Sequence, residues 1–103
     1  MKLTHSLFLG FVKLHILFHA GKEPVYGLWL IEELARHGYR LSPGTLYPIL
    51  HSLETEGCLE VENRLVEGKI RKYYRLTEAG RAQLAALDDY WSRLNRTISE
   101  IGH

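Results

Sequence analysis

Cysteine, methionine and proline are scarce in this 103-residue chain, which holds one, one and three of them. The single Cys58 excludes an internal disulfide and fits a reducing cytosol, so packing must hold the fold. Set between Gly57 and Leu59, that thiol is expected to be buried and inert. Net charge is equally slight. Thirteen Lys and Arg against twelve Asp and Glu give +1 at pH 7, so nucleic-acid binding cannot be read from the total. A long apolar run is missing too. Leu7 to Phe18 is interrupted by Gly10, Lys13 and His15 and falls short of the ~20 residues that span a bilayer, so a buried helix is expected and neither a signal peptide nor a membrane partner. Neither a nucleophile elbow nor a Gly-rich phosphate loop is present, and Glu32-Glu33 and Asp88-Asp89 read as solvated helix faces; catalysis is not expected. There is no internal repeat.

What remains is an ordinary globular composition, 46% hydrophobic and 24% charged, of a size for one modest core. Thr4 is placed to cap a first helix running to about Ala20. Its apolar residues Leu7, Phe8, Phe11, Val12, Leu14, Ile16, Leu17 and Phe18 surround most of the circumference, so burial nearly all round is expected. Gly21-Lys22-Glu23 breaks it, and Pro24 suits the first turn of a second helix. That helix carries Leu28, Ile31, Leu34 and Ala35 inward and ends at His37-Gly38. Ser42 as N-cap and Pro43 as first residue open a third, which buries Leu46, Ile49, Leu50 and Leu53, bends slightly at Pro48 and stops at Gly57. Two strands follow, about Leu59 to Arg64 and Ile70 to Leu76, turning at Glu67-Gly68-Lys69.

Thr77 caps a last long helix. There Leu84, Leu87, Trp91, Leu94, Ile98 and Ile101 are spaced by 3, 4, 3, 4 and 3. That spacing is a heptad seam, too short to stand alone, so it is expected to pair while leaning on another element. The expected architecture is mainly α with a small β-hairpin wing: a winged helix-turn-helix at 1–76 and a C-terminal dimerisation helix at 77–103.

The third helix and hairpin carry the functional signal. A helix able to enter a major groove, followed by a cationic hairpin able to grip phosphate, is how a winged helix-turn-helix binds DNA. Between Arg64 and Arg75 lie five Lys or Arg against one acid, Glu67. Ser42, Pro43, Gly44, Thr45, Tyr47 and His51 are expected on the DNA face, with Gly44 allowing close backbone approach and Tyr47 offering its hydroxyl or ring. Lys69, Arg71 and Lys72, with Tyr73, are expected at the wing. Tyr26 is placed at the start of helix two, either against the DNA backbone or packed inward. Ser42 and Thr45 also serve ordinary capping roles, which are compatible with DNA contact.

These residues resemble the PadR family of transcriptional regulators. The likeness runs through Tyr26-Gly27, Ser42-Pro43-Gly44-Thr45-Leu46-Tyr47-Pro48 and Leu53-Glu54-x-Glu56-Gly57. It continues in Gly68-x-x-Arg71-Lys72-Tyr73-Tyr74-Arg75-Leu76-Thr77-x-x-Gly80-Arg81. The resemblance implies a homodimeric repressor whose C-terminal helix is the dimer arm and whose activity a small molecule often relieves; the cytoplasmic location is expected from the lone cysteine. Trp29, where the family more often has a polar residue, and Ile70, where Pro is common, depart from it.

Two copies would hold their recognition helices about one DNA turn apart, ~34 Å, on a pseudo-palindromic operator of double-stranded DNA. Tyr90 and Trp91 raise the effector question: Trp91 is either an interface anchor or, with its partner across the seam, the wall of a flat pocket for a planar aromatic compound. His15 and His19 have the i, i+4 spacing of a metal pair, with His5 upstream, but no Cys or acidic third ligand is evident, so no metal is assigned. Two rivals stand beside the regulator: a winged-helix module that binds protein and not DNA, and a metal-responsive regulator.

Overall fold

In the computed structural model, which describes residues 2–102, the order of elements is α1 (Leu3–Lys22), α2 (Gly27–Arg36), α3 (Pro43–Thr55), β1 (Leu59–Val66), β2 (Lys69–Leu76) and α4 (Glu78–Ile101). The core gathers one stripe from each of the first three helices and the base of the hairpin: Ile16 and Leu17, Leu30 and Leu34, Leu46 and Leu50, then Leu59, Tyr74 and Leu76. A fully buried leucine of this kind contributes about 1.5–3 kcal/mol over its exposed state. Cys58 is buried among them, and desolvation raises its thiol pKa, so the thiol stays protonated.

The helices begin and end differently from the sequence-based expectation in several places. Lys2 and not Thr4 holds the N-cap position of α1, without a side-chain cap. The helix runs on to Lys22, past Ala20, because Glu23 can still donate its N–H to the His19 carbonyl. At 20 residues α1 is the one described helix long and apolar enough to cross a membrane by length and composition. It outruns the shorter stretch from which a length below a bilayer span was expected. It is nevertheless a packed element, since Val12, Ile16, Leu17 and Ala20 are all in the core. Burial all round does not hold: Leu7 and Phe18 are about half exposed within one chain.

Pro24 does not open α2. It precedes Val25, which pairs with Tyr74 in an isolated antiparallel bridge through two backbone hydrogen bonds of 2.7 and 3.0 Å. The helix starts at Gly27, with Tyr26 at the N-cap position, and Leu28, expected inward, points to solvent. Pro24 fits this placement as well as the expected one, because its fixed φ also suits extended chain.

The hairpin is longer and tighter than expected. Strand register runs unbroken from Leu59↔Leu76 to Val66↔Lys69, which leaves only Glu67-Gly68 as the turn. Both residues have positive φ, 51° and 78°, as a type I′ turn requires, and Gly68 takes that conformation without strain. Thr77 caps α4 as expected: its Oγ1 accepts from the Gly80 N–H at 3.0 Å and donates to the Gly57 carbonyl. Gly80 sits where any side chain would strike the Cys58 carbonyl and Leu76, so the first turn of α4 lies hard against the core.

Candidate nucleic-acid interface

Helix α3 buries Leu46, Ile49, Leu50 and Leu53 and turns Ser42, Pro43, Gly44, Thr45, Tyr47 and His51 to solvent. The split follows from helical spacing, since the buried set recurs at three- and four-residue intervals. Ser42 occupies the N-cap position, but its hydroxyl reaches only the Thr45 side chain, at 3.4 Å, and no backbone amide. Two of the first amides, those of Thr45 and Leu46, bond back to the Ser42 carbonyl at 3.0 Å. Pro48 lies mid-helix without interrupting it; lacking an N–H, it leaves the Gly44 carbonyl without its usual donor.

Beside this helix the start of α2 and the wing close a groove of about 520 Å³ lined by Tyr26, Gly27, Tyr47, Lys69, Arg71 and Lys72, among others. Five of the expected DNA-face residues therefore share one concavity. Gly27 makes the approach of α3 possible: a Cβ there would collide with the Tyr47 ring. Arg71 lies over the Tyr26 ring, 4.1 Å from guanidinium carbon to centroid, and Tyr26 meets Tyr73 edge-on at 5.4 Å. A hydrogen bond with Tyr73 and the nearby phenols raise the Arg71 pKa, which leaves it fully charged. Tyr26, left open between backbone contact and inward packing, is the platform that fixes Arg71.

The basic run divides into two classes. Arg75 is held by Glu60 at 2.6 Å and Glu62 at 3.4 Å, and Arg64 pairs with Glu62 while stacking on Tyr73 at 4.3 Å. These acids lie on β1, ahead of the stretch in which only Glu67 opposes five cations, so two of the five are answered, Arg75 across the strands and Arg64 along its own strand. Lys69, Arg71 and Lys72 have no acidic partner within ion-pair distance among the described residues. The positive charge is thus concentrated at the distal half of the wing.

A search against protein-family models matches residues 16–86 to the transcriptional regulator PadR-like family. The chain belongs to the PadR-like family. It is 60% identical over 73 residues to the transcriptional regulator Rv3488 of Mycobacterium tuberculosis, a match covering 71% of this chain and 68% of that protein. Among solved structures, a PadR-like transcription factor from Bacteroides fragilis superposes with a TM-score of 0.85, at 31% identity over 98% of this chain and 99% of that one. A PadR family regulator from Eggerthella lenta gives 0.82, at 32% identity over 96% and 88%. This PadR-like chain is a DNA-binding transcriptional regulator with a winged-helix fold, and not an enzyme.

The rest of the PadR-like chain presents an apolar flank. Leu84 is half-buried, whereas Leu87, Trp91, Leu94, Ile98 and Ile101 are increasingly exposed, from 38% at Leu87 to 77% at Ile101. Trp91 does not stand clear of its own chain: it meets Phe11 of α1 edge-on at 5.7 Å. Tyr90 and Trp91 with Leu7, Phe11, Leu14 and Leu94 line a groove of about 290 Å³ between α1 and α4. Sequence reasoning missed Phe11 and Leu14 as groove walls because they read simply as core.

It also missed a cluster at the α1–α2 junction. His19, Glu33 and His37 each place a ligating atom within 4.8 Å of the others. The acidic third group not evident beside the histidine pair comes from α2, where Glu33 had been taken as solvated; its side chain is only 13% exposed. His15 flanks the cluster, its ring stacked 5.6 Å from His37. The signal available in sequence was Glu33 and His37 at i, i+4, facing a second His pair of the same spacing.

Proposed function

We propose that the protein is a homodimeric repressor that reads a pseudo-palindromic operator with α3 and grips phosphate with the wing, and that a small effector relieves it. One observation carries the proposal: Tyr47 of α3, the Tyr26–Arg71 stack and the unpaired Lys69 and Lys72 line a single groove, and the start of the same α3 helix is exposed. Ser42, Pro43, Gly44, Thr45, Tyr47 and His51 then face base edges and nearby phosphates, since the N-terminal residues of a recognition helix lie closest to them. Lys69, Arg71, Lys72 and Tyr73 hold the flanking backbone, with Tyr26 supporting them.

Residues 1–76 act as the DNA-binding part and 77–103 as the dimer arm, working in the cytoplasm. Exposed apolar side chains at heptad spacing support this division, because Leu94, Ile98 and Ile101 remain about half exposed or more in their own chain. Tyr90 and Trp91 with Phe11 form an apolar, aromatic-walled groove suited to a planar effector, and its position beside the seam lets occupancy alter the spacing of the two α3 helices.

The test is an operator selected from random duplexes, followed by anisotropy titrations with the native protein and with Lys69→Ala/Arg71→Ala/Lys72→Ala. Loss of affinity together with loss of salt dependence in the triple variant is expected. Retention of both refutes the wing assignment, and failure to bind any duplex at low ionic strength favours the protein-interaction module instead.

A further inference from the structure

The α1–α2 junction holds a polar cluster that the DNA-facing surface does not use. His37 Nε2 lies 3.1 Å from Glu33 Oε2, and His19 Nε2 lies 3.9 Å from the same oxygen. The second distance is too long for a hydrogen bond. His19 Nε2 is sealed from solvent and has no hydrogen-bond partner, the one buried side-chain polar atom so left among the described residues. Buried polar groups are ordinarily satisfied, so an orphaned imidazole nitrogen aimed at a carboxylate oxygen calls for an explanation.

A solvated ion-pair cluster does not supply it. In such a cluster the Glu33 charge would keep His19 protonated, and it does pull the His19 pKa up, but burial together with the charges of His15, His37 and Lys22 outweighs it and the pKa is lowered. The neutral ring is favoured, with a lone pair to donate. Glu33 keeps its charge: burial pushes its carboxyl up, yet the His37 hydrogen bond and the charges of Arg36, His19 and His37 bring it below the ordinary range. Its two oxygens are also divided. Oε1 is held by Arg36 Nη1 at 2.7 Å, which leaves Oε2 turned toward the two imidazoles.

We propose that His19 Nε2, Glu33 Oε2 and His37 Nε2 form a binding site for a divalent transition metal of the zinc class. Two neutral imidazoles and one carboxylate are a zinc-type donor set, with a fourth position left for water or another ligand. Donors of a tetrahedral zinc ion stand about 3.3 Å apart, so these three, all within 4.8 Å, need to contract by no more than about 1.5 Å at the widest pair. Arg36 is the outer partner that orients the ligating carboxylate. His15 stacks against the cluster without joining its donor set. A bound ion clamps the end of α1 to the end of α2 and so stiffens the support beneath α3.

The experiment uses the full chain, freed of any polyhistidine tag and of metal, titrated with Co²⁺ alone and then back-titrated with Zn²⁺. Expected are one Co²⁺ per chain, visible ligand-field bands of a four- or five-coordinate ion, displacement by Zn²⁺, and a higher thermal midpoint with Zn²⁺. His37→Ala lies at an exposed position and should fold; Glu33→Gln is the second variant. Removing an outer-sphere partner alone weakens metal sites about 10–100-fold, so loss of a ligand should weaken Co²⁺ binding at least that much. The proposal is overturned if the native chain binds no stoichiometric Co²⁺, or if a folded His37→Ala binds it as tightly as the native chain, which would put the ion elsewhere. DNA affinity is measured separately, so neither result bears on the operator-binding proposal.

Discussion

Gly27 lies against the phenol of Tyr47, so close that a methyl group on its Cα would collide with the hydroxyl and the ring carbons beside it. The Tyr-Gly pair at the start of α2 and the Leu-Tyr-Pro string of α3 are therefore two halves of one contact. Gly27→Ala should destabilise the protein by about 1–3 kcal/mol, the usual cost of overpacking, and displace the Tyr47 ring. Urea unfolding measures the loss. Gly27→Ala combined with Tyr47→Ala should recover part of it; strictly additive effects would show that the ring is not the obstacle.

The wing cations should be separable by salt. Under the operator-binding proposal, replacing Lys69 or Lys72 with Ala flattens the slope of log affinity against log salt by about one unit each, whatever the DNA sequence. Arg75→Ala should change it far less, because Glu60 and Glu62 already neutralise that guanidinium. Equal effects at Arg75 and Lys72 would contradict the division of the basic run described above.

Leu94 is the sharpest probe of the proposed dimer. It is 48% exposed in a single chain and lies mid-seam, so Leu94→Glu costs the folded monomer little and places like charges against each other between copies. Sedimentation equilibrium should show monomer for the variant and dimer for the native chain, with operator affinity falling at least tenfold (about 1.4 kcal/mol). A native chain that sediments as monomer at micromolar concentration would remove the basis for a two-fold operator.

Acid should weaken the fold in two separate steps in the presence of a chelator. Burial holds His15 and His19 below the ordinary imidazole pKa near 6.5. Above that value neither state is protonated and nothing is lost; below it the unfolded chain takes up protons that the folded chain refuses, and stability drops as pH falls. Glu33 acts later: its lowered pKa contributes stability above the ordinary carboxylate value of 4.5, lost as pH falls from there through its folded value. Unfolding midpoints between pH 8 and 3 should decline in that order, and His19→Gln should flatten chiefly the first step.

Much of this was legible in the chain because local signals and tertiary demands agree. Ser42-Pro43 opens α3 where expected, and the 3-4 spacing from Leu84 to Ile101 marks the exposed stripe of α4. What was not legible depends on neighbours distant in sequence. Pro24 reads equally well as a first helical turn or as extended chain, and only the approach of Tyr74 decides for the second. Arg75 looks free until strand register sets Glu60 beside it, whereas Glu62 lies two residues from Arg64 on the same strand and face. Glu33 looks like half of a solvated acidic pair, yet α1 covers it with His19, so a residue typed as surface closes a buried cluster.

The bridge between Val25 and Tyr74 has a mechanical consequence. It makes the entry to α2 a one-residue third strand of the wing, so the hairpin is anchored at its root instead of swinging from a hinge. A pull on Lys69 or Arg71 is delivered through Tyr74 to the turn that leads into Gly27, and from there to Tyr47 on the neighbouring helix. Tension on the hairpin tip is therefore felt at the helix that lies beside it.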